Sequence, residues 1–479
     1  MTEPDPKRWR ALAVTLVAGF MSLLDVSIVN VALPSIQRGL TTTPGAVQWV
    51  VSGYALAFGL TLVAGGRLGD VLGRRRMFLL ALTGFVVTSG LAGLAPTIEL
   101  LIVARLAQGL TAGLLTPQNT GLIQDLFTGA ERGKAFGLFG ATVGLSTAVG
   151  PLAGGLILAV TGAHDGWRWV FFVNLPIGLV ALVLAARLLP SGRRKEGRLR
   201  DEIDTVGALL LGAAVVAVLF PMVHEGAWWL MAVAAVLGFA FVRWEARLTR
   251  HGRAPVLDLR LFTGTPGYAS GALLGAVYFC GFSGIWLVFA MYFQQGAGLT
   301  PLQSGLAVTP FALASAVAAA LAGRLVEKRG RWLTVLGLSL VIVGLGVVAV
   351  ILGFVQPAHP GLAIIAPMAV AGLGGGMVIS PNTTLTLRCV PTRMSGAAGG
   401  ALQTGQRIGT AIGTAVLSAV FHAVLTATRS YATGVGWAIA TAAALVVIAL
   451  GLGIKELVAD RPQPHQEAPD AVPADAHQN

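Results

Sequence analysis

The sequence predicts an all-α polytopic membrane protein with fourteen transmembrane helices, arranged as six, two and six in two pseudo-symmetric bundles. Three observations carry that expectation. Of 479 residues, 55% are hydrophobic and only 11% charged, whereas soluble domains carry about 25% charged residues because their surface must be wet. Apolar runs of the roughly 20 residues needed to cross a bilayer recur along the whole chain. The Lys and Arg residues collect in alternate connections between those runs. Such a composition excludes a soluble enzyme and a disordered chain. It also excludes a nucleic-acid binder, despite a net charge of +12.

The first six spans are expected at 11–33, 47–66, 77–95, 98–116, 135–157 and 170–188, followed by a hairpin at 206–223 and 227–244. The last six are expected at 269–293, 304–325, 333–354, 362–379, 397–421 and 435–454. The first run follows Lys7, Arg8 and Arg10, but it is too long for a signal peptide and lacks a small-x-small cleavage site. The expected organisation is therefore an N-terminal bundle over 1–190, linkers flanking two extra helices over 191–266, a C-terminal bundle over 267–455 and a disordered tail over 456–479.

With the N-terminus and every even-to-odd connection assigned to the cytoplasm, 28 of the 33 Lys and Arg residues fall there. Arg38, Arg168 and Arg429 fall outside, and Arg105 and Arg407 fall within spans. The positive-inside rule then places both termini in the cytoplasm. Cys280 and Cys389 are isolated, so neither a disulfide framework nor a zinc site is expected.

An internal repeat supports two bundles. Gly66-Arg67-Leu68-Gly69-Asp70-Val71-Leu72-Gly73-Arg74 follows the second span, and Gly323-Arg324-Leu325-Val326-Glu327-Lys328-Arg329-Gly330-Arg331 follows the tenth. Repeated halves around a midplane site are common in secondary transporters.

Asp25 is the only acid deep in a predicted span, about 21 Å above Ala11 along a helix. Charge at that depth is costly and marks a proton or ion path. Desolvation and a nearby cation pull such a carboxyl in opposite directions. Arg105 lies at matching depth on the fourth span and keeps its proton, so its role is electrostatic. Arg407 lies about 15 Å into the thirteenth span beside Gln403 and Gln406; substrate contact and structural bonding are equally open to it. Asn30, Tyr54, Gln108, Tyr278 and Trp286 complete the candidate cavity, since aromatic and amide groups suit amphipathic ligands. Gly405, Gly409 and Gly413, like Gly140 and Gly144, form close-packing faces.

Five motifs in order carry a family resemblance: Leu24-Asp25-Val26-Ser27-Ile28-Val29-Asn30-Val31-Ala32-Leu33-Pro34; the loop from Gly66 to Arg76; Arg105-Leu106-Ala107-Gln108-Gly109; Gly144 with Gly150-Pro151 and Gly154-Gly155; and Trp167-Arg168-Trp169 with Asn174-Leu175-Pro176. Over nearly its whole length the chain resembles the major facilitator superfamily, in particular its fourteen-span drug:proton antiporter branch of EmrB/QacA type. The resemblance implies proton coupling at Asp25 and Arg105. It implies a conformational latch at Gly66, Arg67, Gly69, Asp70, Gly73 and Arg74, and antiport rather than symport from the fifth-span glycines. The expected function is export of amphipathic small molecules in exchange for protons, by a monomer in the bacterial plasma membrane that is driven by the proton gradient without cofactor. An uptake symporter and a non-transporting sensor of the same fold remain open. No Gly-x-x-x-x-Gly-Lys-Ser/Thr loop is present for ATP-driven export. With one deep acid against two deep arginines, divalent cations are expected to be poor substrates.

Overall fold

The computed structural model describes residues 7–162, 164–190, 204–222, 227–251, 255–356, 358–391 and 394–459. The charged stretch 191–203 and residues 460–479 lie outside the described residues, whereas residues 456–459, placed at the start of the expected disordered tail, continue the last helix.

Described residues form helices throughout. The N-terminal bundle holds α1 (Arg8–Gly39), α2 (Pro44–Leu72), α3 (Arg74–Leu94), α4 (Ile98–Leu126), α5 (Gly129–Thr161), and one span broken at Val173 into α6 (Trp167–Phe172) and α7 (Asn174–Leu188). The hairpin is α8 (Thr205–Leu219) and α9 (Leu230–Arg250), followed by the short α10 (Arg260–Gly264). The C-terminal bundle holds α11 (Tyr268–Ser283) with α12 (Ile285–Met291), α13 (Pro301–Arg329), α14 (Arg331–Val350), the short α15 (Pro360–Ala363), α16 (Ile365–Thr386), α17 (Ser395–Thr428) and α18 (Tyr431–Ala459).

Local sequence explains the boundaries. Thr43, Thr97 and Thr300 cap α2, α4 and α13 through side-chain oxygens, and Thr300 with Gln303 forms a reciprocal capping box. Gly73 and Gly330, both with positive φ, end α2 and α13. Apolar side chains such as Leu80, Val87, Leu91 and Leu94 stand exposed at helical spacing along α3. In a bilayer that stripe faces lipid.

Among the described residues, ten helices are long and apolar enough to cross a membrane, or eleven if α5, bent by 41°, counts as one span. The expected fourteen are not all met on length and apolarity alone. The described part of the seventh, α8, has only 15 residues. The eighth, α9, ends in Arg243, Glu245, Arg247 and Arg250, and the twelfth, α16, ends in Pro381-Asn382-Thr383-Thr384.

The sequence repeat is also a structural one. Arg74 at the start of α3 pairs with Asp125 at the end of α4, and Arg331 at the start of α14 donates to Asn382 on α16. All three matched positions, Gly73 with Gly330, Arg74 with Arg331 and Asp125 with Asn382, are 257 residues apart.

Both ends of the described chain share one face. Arg8 pairs with Glu131 at the start of α5, Gly133 beside it packs on Gly323 of α13, and Arg331 pairs with Glu456 near the end of α18. On this terminal face the bundles touch. On the opposite side they part around a cavity.

Candidate functional site

Three features make up the site: a buried acid cluster, a central cavity and the contact on the terminal face.

Asp25 on α1 is fully buried, and Arg105 on α4 is 1% exposed. Arg105 Nη1 lies 2.6 Å from Asp25 Oδ2, while Asn174 Nδ2 (2.8 Å) and Gln108 Nε2 (3.1 Å) donate to Oδ1. Arg105 also donates to the Val50 carbonyl (3.0 Å) and to Gln108 Oε1 (2.7 Å). Beneath it the Tyr54 ring lies 4.2 Å from the guanidinium carbon. Asn174 donates to Ser89 as well, and Ser89 to the Phe171 carbonyl. Depth along the helices brings Asp25 and Arg105 together as expected. Asn174 and Ser89 are additions that sequence reasoning missed. Asn174 belongs to the Asn174-Leu175-Pro176 motif, but the α6–α7 break that aims it at Asp25 is visible only in the structure. Three donors meet the buried Asp25 carboxylate, and removing one partner of such a pair typically costs about 3–5 kcal/mol.

The central cavity, about 410 Å³, lies between the bundles. Of the candidate residues, Asn30, Trp286, Gln403, Gln406 and Arg407 line it. Three other candidates do not. Gln108 is fully buried in the acid cluster, Tyr54 packs under Arg105, and Tyr278 lies in the core of the C-terminal bundle stacked on Phe282. Spacing set their depth but not their direction. Asn30, Ser27, Thr147 and Trp286 are shared with a second cavity of about 390 Å³ that reaches Pro34 and Gln294, away from the terminal face. The described conformation therefore opens on the side opposite the chain termini.

On the terminal face, Asp70 Oδ1 lies 2.7 Å from Arg74 Nη2 and accepts the Gly396 N–H, while Oδ2 accepts the Ala397 N–H, both at 3.1 Å. Those amides belong to the first turn of α17, whose N–H groups lack helical partners and carry the positive end of the helix dipole. Arg74 adds a bond to Ser395 Oγ (2.6 Å) and pairs with Asp125. The cluster thus ties the N-terminal bundle to the start of α17. Arg67 is beside it, but its Nε is buried without a partner. Gly66 permits the contact, since a Cβ there would lie 2.1 Å from the Gly396 carbonyl oxygen, and Gly69 makes room for Gln118. Gly73, with φ of 92°, lets α3 begin at once.

The fifth-span glycines face in different directions. Gly144 meets the α13 backbone at Ala312 and Ala316, while Gly150 and Gly154 meet α1 at Ser27, Ile28 and Val31. Pro151 continues the α5 backbone between them, and Gly155 faces open space. Among the described residues, no three His, Cys, Asp or Glu side chains gather to hold a metal ion.

Comparison with known proteins bears on the family and the fold. The sequence model of the Major Facilitator Superfamily matches residues 15–414 and again 271–474. The chain is 37% identical over 413 residues to the probable actinorhodin transporter of Streptomyces coelicolor, covering 85% of this chain and 71% of that one. It is 35% identical over 421 residues to the puromycin resistance protein pur8 of Streptomyces alboniger, covering 85% and 80%. The fold matches the crystal structure of the human organic anion transporter MFSD10 with a TM-score of 0.70, covering 94% of this chain and 100% of that one. At 16% identity this last likeness speaks for the fold alone. Family match, relatives and fold agree: the chain belongs to the Major Facilitator Superfamily.

Proposed function

We propose that the protein is a proton-coupled efflux antiporter of the fourteen-span drug-exporting branch, moving amphipathic small molecules out of the cell by alternating access. It sits in the bacterial plasma membrane as a monomer, with both termini cytoplasmic, α8 and α9 as extra spans, and the proton gradient as its only energy source. Relatives named for antibiotic transport and resistance support the cargo class.

The observation that carries the reading is the Asp25–Arg105 pair. As a carboxylate, Asp25 holds three donors from α4 and α7. Protonation cancels its charge, weakens the charge-assisted bond to Arg105 and loosens α1 from those helices. Release of the proton restores the pair. Antiport needs such a two-state element, whose balance both proton and cargo bias.

Inverted membrane vesicles test this. With the vesicle lumen acidified, adding puromycin or actinorhodin should drain lumenal protons as the compound accumulates. Movement of compound and protons in the same direction would replace antiport with symport. Binding without transport would leave a sensor.

A further inference from the structure

The central cavity is unbalanced in charge. Its described lining residues include Arg407 but neither Asp nor Glu. Asp25 does not contribute, because it is fully buried and its charge is met by Arg105. Arg407 lies 12 residues into α17, about 18 Å along the helix axis. Its guanidinium rests 4.6 Å from the centre of the Phe58 ring. Among the described residues it pairs with no carboxylate and donates no hydrogen bond. Two other residues of the cavity lining have unpartnered polar atoms: Gln403 Nε2, one turn away on the same helix, lacks an acceptor, and Asn119, 1% exposed, has its Nδ2 and its Oδ1 buried without partners. An unpaired cation with unspent amides at that depth is costly unless something it binds supplies the missing acceptor.

We infer that Arg407, with Gln403 one turn away on α17, receives the oxyanion of a monoanionic amphipathic substrate, of carboxylate type. The guanidinium fork fits a carboxylate through two parallel N–H···O bonds. Phe279, Phe282 and Trp286, which line the same cavity, receive its apolar body. This deepens the export reading and rests on it for the word substrate.

The test uses the purified full-length protein with 1-pyrenebutyrate and its methyl ester, which differ in charge, followed by energy transfer from tryptophan to pyrene. The acid should bind about ten-fold or more tightly than the ester, the range of a hydrogen-bonded charged group. Arg407→Gln should lower the acid to the affinity of the ester and leave the ester unchanged. Gln403→Glu, which sets a carboxylate one turn from the guanidinium, should do the same. Arg407→Lys should keep a preference for the acid. Equal affinities in the native protein, or a preference that survives both Arg407→Gln and Gln403→Glu, would overturn the inference. If Arg407→Gln does not fold, Gln403→Glu and Arg407→Lys decide. Acid preference without export in inverted vesicles would remove the transport reading and leave the anion site, whereas export of both compounds alike would do the reverse.

Discussion

Arg105 and Arg407, from opposite bundles, rest on neighbouring rings of a single helix. Arg105 lies 4.2 Å from the centre of the Tyr54 ring and Arg407 lies 4.6 Å from that of Phe58. The two rings stack 6.1 Å apart, one turn from each other on α2. Two stacked rings of α2 therefore lie between the arginine of the acid cluster and the arginine of the cavity. Cation–π contacts of this kind contribute about 0.5–2 kcal/mol, enough for one site to bias the position of α2 at the other. Phe58→Leu keeps the bulk and loses the ring. Proton release on substrate addition should fall several-fold while substrate affinity holds; unchanged release would mean that α2 does not connect the sites.

Asp25→Asn should abolish proton-driven efflux. Arg105 then loses the one carboxylate it pairs with among the described residues, so thermal stability should drop as well, by the roughly 3–5 kcal/mol typical of a broken buried pair. Substrate binding should persist, because Asp25 does not line the cavity. Transport at the native rate would remove Asp25 from the proton path.

Asp70→Asn should act on the cycle and leave binding alone. The carboxylate accepts two amides of α17 and pairs with Arg74, and a charge-assisted bond contributes about 1.5–3 kcal/mol. The population closed on the terminal face should shrink about ten-fold for each 1.4 kcal/mol lost. Transport velocity should fall with KM little changed, and a rise in KM alone would move Asp70 from the latch to the site.

Gly396→Ala places a methyl group within 2.5 Å of the Gly66 carbonyl oxygen. The bundles should then fail to close on the terminal face. Spin labels at Lys134 and Arg324, exposed beside the Gly133–Gly323 contact, should move apart relative to the parent protein. An unmoved pair would show that the backbone contact tolerates a side chain.

Divalent cationic antiseptics should be poor substrates. The cavity offers a fixed cation, Arg407, and no acid among its described lining residues, so a dication would be desolvated without a partner. Cells expressing the protein should gain more resistance to neutral or singly charged drugs than to bisbiguanides or diamidines. The opposite order would contradict the charge argument.

The acid-cluster and cavity residues that were legible in the sequence share one property: their place depended on distance along a helix. A rise of about 1.5 Å per residue sets depth, and depth alone paired Asp25 with Arg105 and set Gln403 and Arg407 at the cavity. Direction around a helix was not legible. In a membrane the outward face is as apolar as the core, so the polar-outside pattern that orients a soluble helix is missing. Tyr54 and Gln108 therefore looked equivalent to Asn30 and Trp286, yet they face the acid cluster. Asn174 was out of reach for another reason, because only the break at Val173 turns it toward Asp25. Apolar length located the bundles but overstated the uniformity of the hairpin and of α16, whose charged and polar ends belong to the same helices.

Asp25 is sealed in one compartment and the cavity lies in another. In the proposed exporter the ion that supplies the energy and the molecule being carried then never compete for one carboxylate. Changes to the cavity wall can alter which compounds are exported while the buried cluster stays as it is. Such a division suits a lineage facing new toxins: cargo range can drift by single substitutions around Trp286 and Gln403, without the motor having to be reinvented each time.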